Sequence, residues 1–426
     1  MTLADVDTQL ATLANGVRVV TVRMPHLETA SVSVFVRTGS AHESRRLSGI
    51  SHFVEHMAFK GTHERSCQQI NLDAERLGAE VNAHTDKDHT AYHMRGRVAD
   101  APHFVRMLGD IALNSTFPEA ELERERQVML QEYIEDEDEP MSIAFRLFDK
   151  LCFGTHPMAQ PVIGSRANIA RFSRDDLLGY VEAQYSGANV VVGVAGNIDH
   201  PQMVREAESA FGRLRQGSEN RVDAPVHAGG VASRALAGSS QAHVVFGLPT
   251  PALTDSSHHA AIVAAALFGE GMSSPLLDQI RERRGLAYYV SCSADVFEQS
   301  GQFVIEASMA PGHVDEFVVE LQRLLQAQAG AIDAVDLERA RNQIAVRRLR
   351  AAENPSRRIE DAALDVFAFG RPRPPGELAA ATRSIGAHEL QQAFEAMLQQ
   401  RAAVAITGTL RKGVVERVRE VFAPRT

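Results

Sequence analysis

Within the stretch GISHFVEHMAFKGT, three side chains in five residues are equipped for metal and proton chemistry: His52, Glu55 and His56. Apolar spacing over residues 49–59 has a helical period, and on a helix two imidazoles four residues apart leave one face and reach a single cation. Glu55 lies beside them. A carboxylate there takes a proton from water during attack on a carbonyl without having to be a ligand. A helical His pair is also often structural, so the pentapeptide alone leaves both readings open. Hydrolytic zinc keeps three protein ligands and one open position, which calls for a further donor from elsewhere in the chain. The acidic segment ELERERQVMLQEYIEDEDEP offers Glu125 and Glu132, two helical turns apart on one face, next to Val128 and Met129, which are expected to pack inward. The acids of residues 135–139 read as a solvated run. Two imidazoles and a carboxylate suit zinc well.

The elements that must hold these groups alternate between strand and helix. Residues 17–39, VRVVTVRMPHLETASVSVFVRTG, predict two strands joined by a Pro-containing turn. Residues 66–77 and 101–113 continue as amphipathic helices. The stretch LRQGSENRVDAPVHAGG has no sustained period and reads as a connector. This divides the chain into an N-terminal domain over 1–215, a linker over 216–230 and a C-terminal domain over 231–426. In the second part, residues 242–248 are strand-like, residues 260–268 helical, and a longer helix is expected to end near Arg284. Gly269, Glu270 and Gly271 mark a tight turn, since the phosphate-loop sequence GK[ST] does not follow.

The second part repeats the first. LERERQVMLQEYIEDEDEPMSIAFRLFDKLCFG from Leu122 aligns with LERARNQIAVRRLRAAENPSRRIEDAALDVFAFG from Leu337. Likewise RLGAEVNAHTDKDHTAYHMRGR is echoed by RRGLAYYVSCSADVFEQSGQFVIEA, each a helix end, a Gly and paired strands. Two copies of an α/β unit of about 200 residues follow, a size usual for a domain. In the second copy AAIVAAALF replaces the segment of His52 and His56, and Arg347 stands at the position of Glu132. The repeated fold therefore does without the polar set, which favours a functional reading of it.

Composition excludes other classes. At 426 residues with 44% apolar content the chain supports more than one core. A net charge of -10, from 44 basic and 54 acidic residues, provides no broad positive field for nucleic acid or anionic lipid. The opening MTLADVDTQLATLANG does not read as a secretory signal, and no run approaches the roughly 20 apolar residues that span a bilayer. Cys67, Cys152 and Cys292 form neither a disulfide framework nor a thiolate metal site, which points to a reducing cytoplasm.

HFVEHMAFKGT followed by ERQVMLQE resembles the inverted-motif zinc peptidases of the pitrilysin family, which include insulin-degrading enzyme and the mitochondrial processing peptidase; H-x-x-E-H is their signature. The similarity covers nearly the whole chain. It implies an α+β fold of two homologous α/β sandwich-like domains, each a mostly antiparallel sheet packed by helices, together forming half of a clamshell chamber. It implies one zinc ion per chain on His52, His56 and Glu132, Glu55 as catalytic base, and Glu125 in support. Asn82 and Ala83 match an edge strand that pairs with extended peptide. GMSSPLLDQIRERRGLAYYV is similar to the family's GMSSRLF...IREKRGLAY, which makes Arg281 and Tyr288 its carbonyl-holding pair, able to stabilise a developing oxyanion. Read without the family, Arg281 is a surface helix charge and Tyr288 a buried strand aromatic. Pro275 stands where an Arg is common. The implied function is a zinc metalloendopeptidase acting on peptides or small unfolded polypeptides, its active site completed across a homodimer or a heterodimer with a paralogue. Two alternatives are a dedicated protease that processes one precursor with a partner, as in pyrroloquinoline quinone biosynthesis, and a non-catalytic, chaperone-like subunit. Intact ligands and base argue against the last.

Overall fold

The computed structural model describes residues 7–423; the first six residues of the opening segment and the last three of the expected C-terminal domain lie outside the described residues. The first half runs β1 (Thr8–Thr12), β2 (Arg18–Arg23), β3 (Thr29–Val36), α1 (Ile50–Ala58), α2 (Cys67–Arg76), β4 (Glu80–Thr85), β5 (Thr90–Arg97) and α3 (Ala101–Leu113). It continues through α4 (Glu119–Asp138), α5 (Pro140–Phe153), α6 (Arg166–Arg171), α7 (Arg174–Gln184), β6 (Val190–Gly196) and α8 (His200–Phe211). After an irregular connector come β7 (Gly230–Ala235), β8 (Ala242–Thr250), α9 (His258–Gly269), α10 (Pro275–Leu277), β9 (Tyr289–Val296) and β10 (Gly301–Met309). The chain closes with α11 (Val314–Gly330), α12 (Ala334–Glu353), α13 (Pro355–Phe369), α14 (Pro375–Ser384), α15 (Ala387–Leu398), β11 (Ala403–Gly408) and α16 (Val414–Val421).

The repeat read from sequence is present in the strand order. One sheet is ordered β1-β2-β6-β3-β5-β4 and the other β7-β11-β8-β10-β9, so each has the same arrangement apart from the extra β1. Both are mixed, with one parallel pair, β2 with β6 and β7 with β11, among antiparallel neighbours. Alternation along the first sheet's strands sends Val32, Val34 and Val192 into a core shared with α1 and α3, while Val20, Phe35 and Val191 meet Ile359 and Val366 of α13. With both faces covered, every residue of β6 is buried.

The compact units are not contiguous in sequence. One takes residues up to Tyr133, Gln160–Val222 and Leu349–Pro375; the other takes Ile134–Ala159, Asp223–Arg348 and the chain from Gly376 onward. Helix α5 thus belongs with β8 and β11 of the second unit, and α13 with the first sheet. Periodicity marks both helices as amphipathic but carries no information about which sheet each covers.

Three local expectations change. Met129 is fully buried as expected, but Val128 is 46% exposed, because the inward stripe of α4 is Leu122, Glu125 and Met129. The helix expected to end near Arg284 is short rather than long: α10 passes into a π-type turn over Asp278–Arg283. In the acidic run, Asp136 and Glu137 pair with Arg146, and Glu139 caps α5 by accepting from the Met141 N–H at 3.2 Å, so the run is not simply a solvated one. Gly271 does form the turn after α9, with φ of 89°. Among the described residues no helix is long and apolar enough to cross a membrane.

Candidate metal centre

Helix α1 starts at a tight backbone crossing. Gly49, its N-cap, has φ of 97°, and a Cβ there would lie 2.9 Å from both the Gly164 Cα and the Ile163 carbonyl oxygen. Only glycine fits. The first turn is then tied down by a buried carboxylate: the backbone N–H groups of Gly49 and Ser51 donate to Glu43 at 2.7 and 2.8 Å. Ser51 Oγ and Thr38 Oγ1 share the Tyr180 hydroxyl at 2.7 and 2.6 Å. Ile50, Phe53, Val54 and Met57 face the core, leaving His52, Glu55 and His56 on the opposite side.

Burial raises the Glu43 carboxyl from 4.5 to about 7, against the lowering effect of its hydrogen bonds from Ser51 and Gly49. The folded chain therefore holds this proton more tightly than the unfolded chain. That stabilisation is complete below about pH 4.5 and is lost as the pH climbs to about 7, a change of roughly 3 kcal/mol at most. Urea unfolding at pH 5 and pH 8 is expected to show wild type losing stability relative to Glu43→Gln. A difference that does not vary with pH would refute the assignment.

His52, His56 and Glu132 converge, and they are one of two groups of metal-type donors among the described residues. The two Nε2 atoms are 3.1 Å apart, and Glu132 Oε2 lies 3.9 Å from the first and 3.6 Å from the second. Ligand atoms about 2.0–2.1 Å from a tetrahedral zinc are separated by about 3.3 Å, so these three donors fit the ion. His56 Nδ1 donates to Glu125 Oε1 at 2.9 Å, which turns the lone pair of its Nε2 toward the other donors. His52 Nδ1 is buried with no hydrogen-bond partner, so this ring has no anchor behind it of the kind that Glu125 gives His56.

Electrostatics separates the roles. Burial, then the neighbouring His56, pushes His52 down to about 3, leaving it a neutral donor. Burial disfavours charge on His56 as well, but its Glu125 bond and the Glu132 and Glu55 carboxylates outweigh this and raise its proton affinity. Glu125 is held below the usual carboxylate range: burial works the other way, and His56 and Lys60 Nζ, the latter at 2.6 Å, overcome it. Glu55 is raised, chiefly by burial, and accepts from Thr85 Oγ1 at 3.0 Å. An elevated carboxylate that is not among the converging donors has the properties of a general base.

Asn82 and Ala83 lie on β4, the edge of the first sheet, and the Asn82 side chain accepts from the Ala83 N–H at 2.8 Å. Arg281 and Tyr288 belong to the other unit. Arg281 is 47% exposed in the π-type turn, and Tyr288, just before β9, is 81% exposed rather than a buried strand aromatic. In that unit Arg347 pairs with Glu270 at 2.7 Å, so the residue in place of Glu132 has its own counter-charge. Sequence reasoning missed Glu43, Lys60 and Thr85. Lys60 was open to it, one turn beyond His56; Glu43 and Thr85 carry no local signal.

Comparison with known proteins adds a family. The model of insulinase, peptidase family M16, matches residues 18–166, and that described as peptidase M16 inactive domain matches residues 171–344. A protein of Rickettsia felis named "Uncharacterized zinc protease" is 30% identical over 400 residues, 94% of this chain and 97% of its own. The crystal structure of a peptidase M16 inactive domain from Pseudomonas fluorescens has a TM-score of 0.88 at 17% identity, covering 95% of this chain and 99% of that one. A protease from Helicobacter pylori has a TM-score of 0.86 at 20% identity, covering 95% and 99%. At those identities the structural likeness concerns the fold alone. The insulinase match spans all three converging donors; the inactive-domain match spans the Ala-rich α9.

Proposed function

The chain belongs to the insulinase family of peptidases, family M16, in its short two-domain form, and from that premise we propose that it is a zinc-dependent endopeptidase acting on extended peptides or small unfolded polypeptides. The observation that carries this reading is the convergence of His52, His56 and Glu132 with Glu55 beside them, in one copy of the repeat and not in the other. Zinc, when bound, supplies Lewis acidity that polarises a carbonyl and makes water easier to deprotonate. Glu55 takes the proton of the attacking water and returns it to the leaving amine. Glu125 orients His56, and Lys60 keeps Glu125 ionised. The free edge of β4 at Asn82 and Ala83 pairs with the peptide main chain, which accepts many sequences.

Arg281 and Tyr288 supply donors for the developing oxyanion, and exposure of both side chains leaves them available. We place them opposite the metal of a second subunit, an identical chain or a paralogue, so that two short chains build the chamber of four units. Cys67, Cys152 and Cys292 form no disulfide among the described residues, which suits a cytoplasmic setting.

Purified protein is expected to cleave a library of extended peptides, to lose that activity to a chelator and to regain it with zinc. Absence of cleavage by protein shown to contain zinc would sink the reading, and cleavage of one precursor only, with a partner present, would move it to dedicated processing. Mixing Glu55→Gln with Arg281→Ala subunits is expected to restore part of the activity in a homodimer. No recovery in verified mixed dimers would remove the shared site.

A further inference from the structure

A second set of metal-type donors lies on the other face of the same sheet. Along β4, Ala83 packs with the α1 core and Thr85 bonds Glu55, whereas His84 alternates to the side covered by α13. There it meets His89, from the turn between β4 and β5, and Glu360 of α13; all three belong to one compact unit. Their donor atoms lie within 4.8 Å of one another.

The arrangement repeats features of the first centre. His84 Nε2 and His89 Nε2 are 3.3 Å apart with their rings at 88°, against 3.1 Å and 78° for His52 and His56. Both separations suit donors about 2.0–2.1 Å from one tetrahedral ion. His89 Nδ1 donates to Asp88 Oδ1 at 2.7 Å, as His56 does to Glu125, so the His89 Nε2 lone pair points at His84. His89 is 3% exposed. Arg357 is 3.3 Å from Glu360 Oε2, which leaves Oε1 for another partner. A single N–H···N bond between the rings accounts for the imidazole pair but not for the carboxylate from a helix far along the chain or the Asp88 anchor.

We propose that His84, His89 and Glu360 form a second binding site for a divalent transition-metal ion of the zinc type. Two imidazoles and one carboxylate suit zinc, cobalt or nickel better than calcium or magnesium. An ion there joins the tip of the edge hairpin to α13 and holds the end of β4, one residue from the Thr85 that supports Glu55. Its role is to fix that strand, and it does not require the first centre to be catalytic.

Metal content decides the matter. The full chain, stripped by chelator, reloaded with zinc and desalted, is expected to hold two equivalents. His52→Ala, His84→Ala and Glu360→Gln are each expected to hold one, and His52→Ala combined with His84→Ala none. Asp88→Asn is expected to weaken the second site roughly 10- to 100-fold. Zinc should raise the melting temperature of His52→Ala but not that of the double variant, and cobalt in His52→Ala should give the visible bands of a tetrahedral ion. One equivalent in wild type that His84→Ala retains would overturn the proposal, as would two retained by His84→Ala. Should His84→Ala fail to fold, Glu360→Gln on partly exposed α13 carries the same test, with two equivalents again fatal.

Discussion

Glu55→Gln is expected to keep zinc at the first centre and to lose turnover by roughly 10²- to 10⁴-fold, about 3–5 kcal/mol of transition-state stabilisation. The amide has the shape of the carboxylate and still accepts from Thr85, so α1 and the facing His52 and His56 rings are undisturbed. It cannot take a proton. Burial already raises the proton affinity of Glu55 above that of an exposed carboxylate, which is the adjustment a base working near neutrality needs. Zinc analysis beside single-turnover kinetics separates the two quantities. Wild-type turnover in the variant would assign the base elsewhere, and loss of zinc would make Glu55 part of the metal shell.

Glu132→Ala is expected to do the reverse, losing the zinc of the first centre after desalting and with it all turnover above background. The Glu132 side chain is 37% exposed, so its removal leaves no core cavity and stability should change by only about 0.5 kcal/mol. Two imidazoles alone leave a cation short of the third donor that hydrolytic zinc sites keep. Excess zinc is therefore expected to recover part of the activity of Glu132→Ala and none of that of Glu55→Gln. Equal responses of the two variants would merge the roles of ligand and base assigned here. A zinc content in Glu132→Ala equal to that of wild type would remove this residue from the site.

Much of this arrangement was legible before any coordinates. The bounds of α1, α2 and α3 follow from apolar spacing, and the repeat from matching segments that form equivalent helix pairs, α4–α5 and α12–α13, and equivalent sheet edges, β4–β5 and β9–β10. Convergence of His52 and His56 needed only helical geometry, while Glu132 needed the family resemblance as well. Val128 shows the limit of local reading: an apolar residue in a mostly charged helix invites an inward placement, but a step of about 100° puts it beside the stripe through Leu122, Glu125 and Met129. Tyr288 misled in the opposite direction, since an aromatic next to a strand is usually buried and this one is not.

What the sequence by itself determined is everything encoded within a turn or a strand: the helical face that carries two imidazoles and a base, the alternation of the sheets and the duplication of the unit. What only the tertiary structure decided is each contact between distant segments. Glu43 beneath α1, α5 and α13 placed on sheets from the other half of the sequence, and Glu360 beside His84 and His89 all belong here. The physical reason is that backbone geometry imposes a period on neighbours in the chain and none on residues far apart. Those meet only where packing of the whole unit brings them together, and no spacing of letters records it.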